Sequence, residues 1–213
     1  MTDSIFFYAL VGAFCSMDIT FFGQFMICRP IFCAPIVGYF MGDINTGLWI
    51  GMIVELHWIN AIPMGVIVPV DVSLISILST FWACRYFIGM QEAAVFALVL
   101  AVPFAYFYRD MDISGRNFNI KIMHFIENGI KNQKYLRMYA GIYFGFFLFT
   151  ARLFLFYLFA MYVGGIIYSG LYLQLSQFII LGLRNAWYLL PVVGFALVIK
   201  EFNIFRKLFC KEL

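Results

Sequence analysis

Charged side chains are scarce in this sequence of 213 residues, at 12%, whereas an ordinary soluble domain carries about 25%. Apolar residues make up 64%, among them 27 phenylalanines, and the mean hydropathy is +0.93. So little charge excludes a soluble globular domain, because such a domain needs a polar surface. The composition predicts an all-α polytopic membrane protein with about six to eight transmembrane or re-entrant helices, at about 20 residues for each full span.

Histidine and paired cysteine are also rare. There are two histidines, His57 and His124, and none of the five cysteines forms a Cys-x-x-Cys pair. Because no histidine lies near them at metal-ligand spacing, we expect neither a metal site nor a cofactor. Gly-rich phosphate loops and Gly-x-Ser-x-Gly are absent as well, so the sequence predicts no bond chemistry by this chain alone.

Basic residues are few in the first half of the chain. Residues 1–108 contain two basic and six acidic side chains, whereas residues 109–213 contain twelve basic and five acidic ones. The N-terminus, Met1 to Phe6, has no Lys or Arg, so the first apolar stretch is expected to remain as a span. The basic excess flanks apolar segments, which favours the positive-inside rule over nucleic-acid binding. If the basic residues of segments 109–138 and 201–213 both face the cytoplasm, the chain must cross the membrane an even number of times between residues 138 and 200.

We predict one membrane domain, 1–213, in four parts. These are the site-bearing helices (1–108), a cytoplasmic loop with an amphipathic helix (109–138), the C-terminal helices (139–200) and a cytoplasmic tail (201–213). The apolar stretch Ile31 to Met41 is too short to cross a bilayer, so it is expected to be a half helix. The other expected apolar segments are Ile5 to Phe22, a stretch from Leu48 broken by Pro63 and Pro69, Val72 to Gly89, Ala93 to Tyr108, Tyr139 to Tyr168, Leu171 to Leu183 and Trp187 to Ile199.

The region 23–71 combines apolar sequence with isolated charges. Charged side chains at membrane depth are costly, so they usually face a protein interior or a water-filled pathway. Prolines and glycines interrupt the same region, which favours broken helices around a polar site. Asp43, Gly47, Gly51 and Glu55 follow at intervals of four and would form one helical stripe, whose glycines let a neighbouring helix come close.

Polar side chains in this region offer the directional donors and acceptors that a sugar needs. The predicted substrate contacts are Gln24, Glu55, His57, Asn60 and Asp71. The polar residues predicted to hold the helix breaks are Arg29, Asp43 and Thr46. Structural roles stay open for three residues: Asp71 as the N-cap of a helix from Val72, His57 as a packing residue, and Arg29 in an ion pair with Asp18, Asp43 or Glu55.

These residues resemble a known family, the IIC membrane subunit of the mannose/sorbose family of the bacterial phosphoenolpyruvate:sugar phosphotransferase system. The matching residues are Gln24-Phe25, Arg29-Pro30, Gly38, Gly42-Asp43, Thr46-Gly47, Gly51, Glu55, Gly65, Asp71 and Ser79-Thr80. The resemblance implies a multi-pass protein of the bacterial inner membrane that forms a sugar path with a IID subunit. It further implies that cytoplasmic IIA and IIB proteins relay a phosphoryl group, that IIB phosphorylates the sugar, and that IIC–IID pairs assemble as trimers in the lipid bilayer.

Two other functions stay open at this point. The family commonly has Gln-Phe-His before Arg-Pro, where this chain has Met26, Ile27 and Cys28. That loss of polar groups favours a non-transporting IIC that acts as a sensor or scaffold. A proton-coupled secondary transporter, with Glu55 or Asp71 carrying the proton, is the other alternative.

Overall fold

The predicted all-α architecture is confirmed. The computed structural model describes residues 5–18, 24–60, 68–131 and 135–209, and within these ranges the regular structure is helical. The helices are α1 (Ile5–Met17), α2 (Pro30–Met41), α3 (Ile44–His57), α4 (Val72–Tyr86), α5 (Gln91–Lys131), α6 (Tyr135–Phe159), a π-helix (Ala160–Gly164), α7 (Gly165–Gln174) and α8 (Gln177–Phe209).

The short helices come first in the chain, and the long apolar helices follow them. The N-terminal helices α1 to α4 have 12 to 15 residues each, which is less than a bilayer requires. The half helix expected at Ile31 to Met41 is present as α2. Among the described residues, three helical segments are long and apolar enough to cross a membrane: Gln91–Ile120, Met138–Gln174 and Gln177–Phe202. Two of these lie between residues 138 and 202.

Two boundaries differ from the sequence expectation. The amphipathic helix expected within 109–138 is present, but it continues α5 without an intervening loop, since the helical spacing of apolar residues runs on past Tyr108. The expected division between Leu171 to Leu183 and Trp187 to Ile199 is wrong. The chain breaks at Leu175 instead, and α8 runs unbroken. Arg184, which follows the expected segment Leu171 to Leu183, lies within α8 and pairs with Glu92 of α5 at 3.6 Å.

The centre of the molecule is α4. All residues from Ser73 to Cys84 are buried, and α4 packs against α2, α3 and α5. The hydroxyl groups of its serines donate hydrogen bonds to backbone carbonyl oxygens within the helix. The hydroxyl of Ser76 donates to the carbonyl oxygen of Ser73 at 2.8 Å, and that of Ser79 donates to the carbonyl oxygen of Ile75 at 2.7 Å. Such bonds satisfy hydroxyl groups away from water, so a polar sequence can form a buried helix.

A π-helix joins α6 to α7. It spans Ala160–Gly164, and three of its five residues are buried. Gly164 lies directly against the ring of Trp82 in α4, where an added Cβ would collide with the indole. The π-helix therefore brings this backbone close to the central helix.

Candidate functional site

The break between α1 and α2 is organised by a buried carboxylate. Asp18, at the end of α1, is 3% exposed and accepts hydrogen bonds from the backbone N–H groups of Phe25 at 3.0 Å and Ile27 at 2.9 Å. Two residues of the break adopt left-handed backbone conformations, Gln24 with φ 53° and Met26 with φ 65°. The side chain of Gln24 is exposed here. A carboxylate that binds two backbone donors fixes the chain that leads into α2.

The stripe of α3 has the predicted geometry. An added Cβ at Gly47 would lie 2.7 Å from the carbonyl oxygen of Ala34, and one at Gly51 would lie 2.5 Å from that of Pro30. These are backbone atoms of α2, so the absence of side chains allows the two helices to touch. At the start of the stripe, Asp43 caps α3 by accepting from the backbone N–H of Thr46 at 3.1 Å and from its hydroxyl at 2.6 Å.

The stripe ends at an ion pair between two interrupted helices. Arg29 is the N-cap residue of α2 and has an extended backbone, as its position before Pro30 predicts. Its guanidinium lies 2.8 Å from Oε1 of Glu55, whose side chain is 18% exposed. Of the three partners left open for Arg29, the structure selects Glu55. The other oxygen, Oε2 of Glu55, is buried and has no hydrogen-bond partner among the described residues.

Asp71 lies at the start of α4. Its side chain accepts a hydrogen bond from the backbone N–H of Leu74 at 3.2 Å, so it is the N-cap of this helix. Next to it, the hydroxyl of Ser73 donates to the carbonyl oxygen of Cys28 at 2.6 Å. This bond ties the start of α4 to the break before α2, so the two helix N-termini lie side by side.

A cavity of ≈ 270 Å³ opens beside these two N-termini. This volume is close to the lower limit of small-molecule sites, about 300 Å³. Arg29 and Asp71 line it, together with wall residues from α5 and α6. The other polar side chains of the lining are Ser16, Ser73, Tyr108, Arg109, Asp112 and Arg116. Both hydrogen-bond donors and acceptors therefore line one cavity.

The wall formed by α5 and α6 carries a charged cluster that sequence reasoning did not assign to the site. Oδ2 of Asp112 accepts from Nε of Arg116 at 2.8 Å, while Oδ1 accepts from a terminal nitrogen of Arg152 in α6. The side chains of Asp112 and Arg152 are 10% and 17% exposed. An added Cβ at Gly115 would collide with the Arg152 guanidinium, so a glycine makes room for it. Two features of the sequence indicate this cluster: the spacing of four between Asp112 and Arg116, and the position of Arg152 as a lone arginine within an apolar stretch.

Of the five predicted substrate contacts, only Asp71 lines this cavity. Glu55 pairs with Arg29, which lines the cavity, but is not itself among the lining residues. Nδ1 of His57 lies 2.9 Å from the carbonyl oxygen of Ile53 in the preceding turn of α3. Asn60 follows α3 and is exposed, as is Gln24. The expected break at Pro63 lies outside the described residues. The structure thus groups Arg29, Glu55 and Asp71 around the helix N-termini and leaves the other predicted contacts outside that group.

The known proteins that this chain resembles are IIC components of sugar transport systems. The family described as "PTS system sorbose-specific iic component" matches residues 3–207. The sorbose-specific EIIC component of Klebsiella pneumoniae is 22% identical over 186 residues, which cover 85% of this chain and 67% of that protein. The putative N-acetylgalactosamine permease IIC component 2 of Escherichia coli (strain K12) is 34% identical over 77 residues, 36% of this chain and 55% of that protein. The mannose-specific EIIC component of the same strain is 28% identical over 109 residues, 51% of this chain and 40% of its own length.

Two solved structures share the fold. A structure described only as a membrane protein superposes with a TM-score of 0.72 at 22% identity, covering 93% of this chain and 77% of the other. A cryo-EM structure of the mannose transporter ManYZ in complex with microcin E492 superposes with a TM-score of 0.64 at 22% identity, covering 98% and 84%. Because the family match extends over nearly the whole sequence, the chain belongs to the family described as "PTS system sorbose-specific iic component" and is a membrane-embedded sugar-transport subunit of the mannose/sorbose class.

Proposed function

We propose that this chain forms, with a IID subunit, the path by which a hexose-type sugar crosses the bacterial inner membrane and is phosphorylated by IIB. IIA supplies the phosphoryl group to IIB, and the IIC–IID pairs assemble as trimers. The chain crosses the membrane several times, and its basic segments, 109–138 and 201–213, face the cytoplasm. The ManYZ complex supports the IID partnership, since that transporter resembles this chain over nearly its full length.

The observation that carries the proposal is the Arg29–Glu55 pair beside the polar cavity. The pair lies where two interrupted helices meet, the arrangement in which transporters bind substrates. One oxygen of Glu55 is engaged by Arg29, while Oε2 is buried with no partner among the described residues. A buried acceptor without a partner is costly, and a sugar hydroxyl can donate to it. Glu55 does not itself line the cavity, whereas Asp71 places a carboxylate on its wall.

The test is reconstitution in cells. The chain is co-expressed with the IIB and IID proteins of its own cell in a host that lacks mannose-type IIC, and labelled sugar phosphate is measured with a panel of hexoses and amino sugars. Product that depends on this chain supports group translocation. Substrate accumulated unmodified and lost with an uncoupler would instead support the proton-coupled transporter.

Glu55→Gln tests the role of the Glu55 carboxylate most directly. It removes the carboxylate charge but keeps the shape of the side chain, so uptake should be abolished while the protein still inserts into the membrane. Glu127→Gln is the matched control, because Glu127 is 44% exposed and lies in the basic segment after the cavity. Normal uptake by Glu55→Gln would remove Glu55 from the mechanism.

A sensor or scaffold role is the second candidate. The observation that favours it is the apolar side chain of Met26, which is 65% exposed in the break before α2. At this place the resembling family is commonly polar. Stable co-purification with IID in the absence of any sugar phosphate would support this second role.

A further inference from the structure

One stripe of α5 lines the cavity with charged side chains, and we call this stripe the mouth. Arg109, Asp112 and Arg116 are spaced by three and four residues, so they share a helix face, and all three line the cavity. The side chains of Arg109 and Arg116 are 34% and 57% exposed, whereas that of Asp112 is 10% exposed. Two partly exposed guanidinium groups therefore line the cavity at this stripe, and the carboxylate between them in sequence is largely buried.

Charges around the mouth do not cancel locally. Asp112 is shared between Arg116 and Arg152, so one carboxylate serves two guanidinium groups. Arg109 pairs with Asp110 at 3.2 Å, but Asp110 is 68% exposed, and exposed pairs of this kind are weak. Arg29, which also lines the cavity and whose side chain is 37% exposed, is paired with Glu55, and Asp71 caps α4. One positive charge is therefore in excess of the carboxylates that pair with these arginines. We assign it to Arg116, which is the most exposed of Arg29, Arg109, Arg116 and Arg152.

The arginines of the mouth keep free donors. A guanidinium has five N–H donors in a planar fork, and Arg116 uses only Nε for Asp112. Its terminal nitrogens make no other hydrogen bond in the described part of the chain. Arg109 directs Nε and one terminal nitrogen to a single oxygen of Asp110. Forks of this kind match the oxygens of a phosphate group, which they bind through paired N–H donors.

The inner end of the cavity has a different chemistry. Ser16, Ser73 and Tyr108 contribute hydroxyl groups there, Asp71 contributes a carboxylate, and Phe149 contributes an aromatic ring. Hydroxyls and a carboxylate suit a ring with several hydroxyl groups. The cavity therefore carries hydroxyl and carboxylate groups, together with Arg29, at one end and the guanidinium groups of Arg109 and Arg116 at its cationic end. Arg109 is the first charged residue after the apolar stretch Ala93 to Tyr108, so the cationic end is at the predicted cytoplasmic side.

We propose that this cavity binds a sugar monophosphate, with its phosphate group on Arg109 and Arg116 and its hydroxylated ring toward Ser73 and Asp71. The proposal rests on the proposed function, because a phosphotransferase path releases its sugar as a phosphate ester on the cytoplasmic side. It makes the cavity a product site, in which phosphate held at the mouth keeps the ring within the path until release. The phosphate of an anionic lipid headgroup offers the same chemistry at the same arginines.

The test measures binding by the purified IIC–IID complex in nanodiscs, without IIA or IIB. The probes are mannose 6-phosphate, mannose and inorganic phosphate, and the discs contain either zwitterionic lipid alone or added phosphatidylglycerol. We expect Arg116→Gln to weaken mannose 6-phosphate and phosphate binding at least tenfold and mannose binding less than twofold. Arg85→Gln is the matched control, because Arg85 is exposed at the end of α4 and does not line the cavity. Arg109→Gln gives a second variant with the same expectation.

Three results would overturn the product site. The first is equal affinity of the wild type for mannose and mannose 6-phosphate. The second is binding of mannose 6-phosphate that is unchanged in both Arg109→Gln and Arg116→Gln. The third is arginine-dependent retention of phosphatidylglycerol that mannose 6-phosphate does not displace, which would assign the mouth to a lipid headgroup. Because binding is measured without IIB, failure of sugar phosphorylation in cells is a separate result that bears on the proposed function alone.

Discussion

Removal of the Asp112 carboxylate should destabilise the protein much more than removal of its near neighbour Asp110. Asp112 holds Arg116 and Arg152 with its two oxygens, and its side chain and that of Arg152 are 10% and 17% exposed. Breaking a buried pair by removing one partner costs about 3–5 kcal/mol, because a charge is left without compensation. We take the lower end, about 3 kcal/mol, for Asp112→Ala. Asp110 is 68% exposed, and an exposed pair contributes about 0–1 kcal/mol.

The assay is thermal unfolding of the purified protein, followed by loss of the monodisperse peak in size-exclusion chromatography. For a chain of this size, 1 kcal/mol shifts Tm by about 2–4 °C, so Asp112→Ala should lower Tm by about 6–12 °C. Asp110→Ala, on the same helix and with the same chemical change, should lower it by no more than about 4 °C. The double variant Asp112→Leu/Arg152→Met should recover at least half of the loss, since apolar side chains can replace a buried pair. Equal Tm losses for the two alanine variants would refute the reasoning.

Three further changes test the packing and the site. Gly51→Ala places a Cβ 2.5 Å from a backbone oxygen of α2 and should cost about 1–3 kcal/mol, whereas Gly182→Ala, with nothing within 4 Å, should leave Tm equal or higher. Tyr157→Phe removes a 2.7 Å hydrogen bond to buried Ser16 and should cost about 1–2 kcal/mol in the same thermal assay. Asp71→Asn keeps an equally good N-cap but loses the charge, so sugar uptake should fall at least tenfold with Tm unchanged; a parallel loss of Tm would assign Asp71 to helix capping alone.

Local features of the fold could be predicted because each has a local cause. Pro30 forces Arg29 out of helical geometry, and the spacing of Asp43, Gly47, Gly51 and Glu55 defines one face of a helix. The composition alone indicates membrane helices. The sequence places the boundary between α7 and α8 too late because the polar residues Arg184 and Asn185 interrupt the apolar pattern, whereas in the structure α8 continues through both and Arg184 pairs with Glu92 of α5.

The walls of the site could not be predicted in the same way. Asp112 and Arg152 are separated by forty residues, and no periodicity connects them. The charges near the start of the segment 109–138 indicate a solvated loop when they are considered alone. Only the packing of α5 against α6 and against the start of α4 turns three of them toward a cavity. The exposed side chain of Gln24 follows from a left-handed backbone that sequence patterns do not indicate for glutamine.

The π-helix at Ala160–Gly164 bears on how this chain is compared with its relatives. A π-turn holds one residue more than the α-helical turn it replaces, so it absorbs an insertion without rotating the helices on either side. A relative in which α6 and α7 form one regular helix would align correctly only with a single-residue gap inside this segment. Without that gap, every position of α7 would be assigned to a face about 100° away, and residues such as Tyr168, which donates to the carbonyl oxygen of Ala93 at 2.8 Å, would be matched to outward-facing positions.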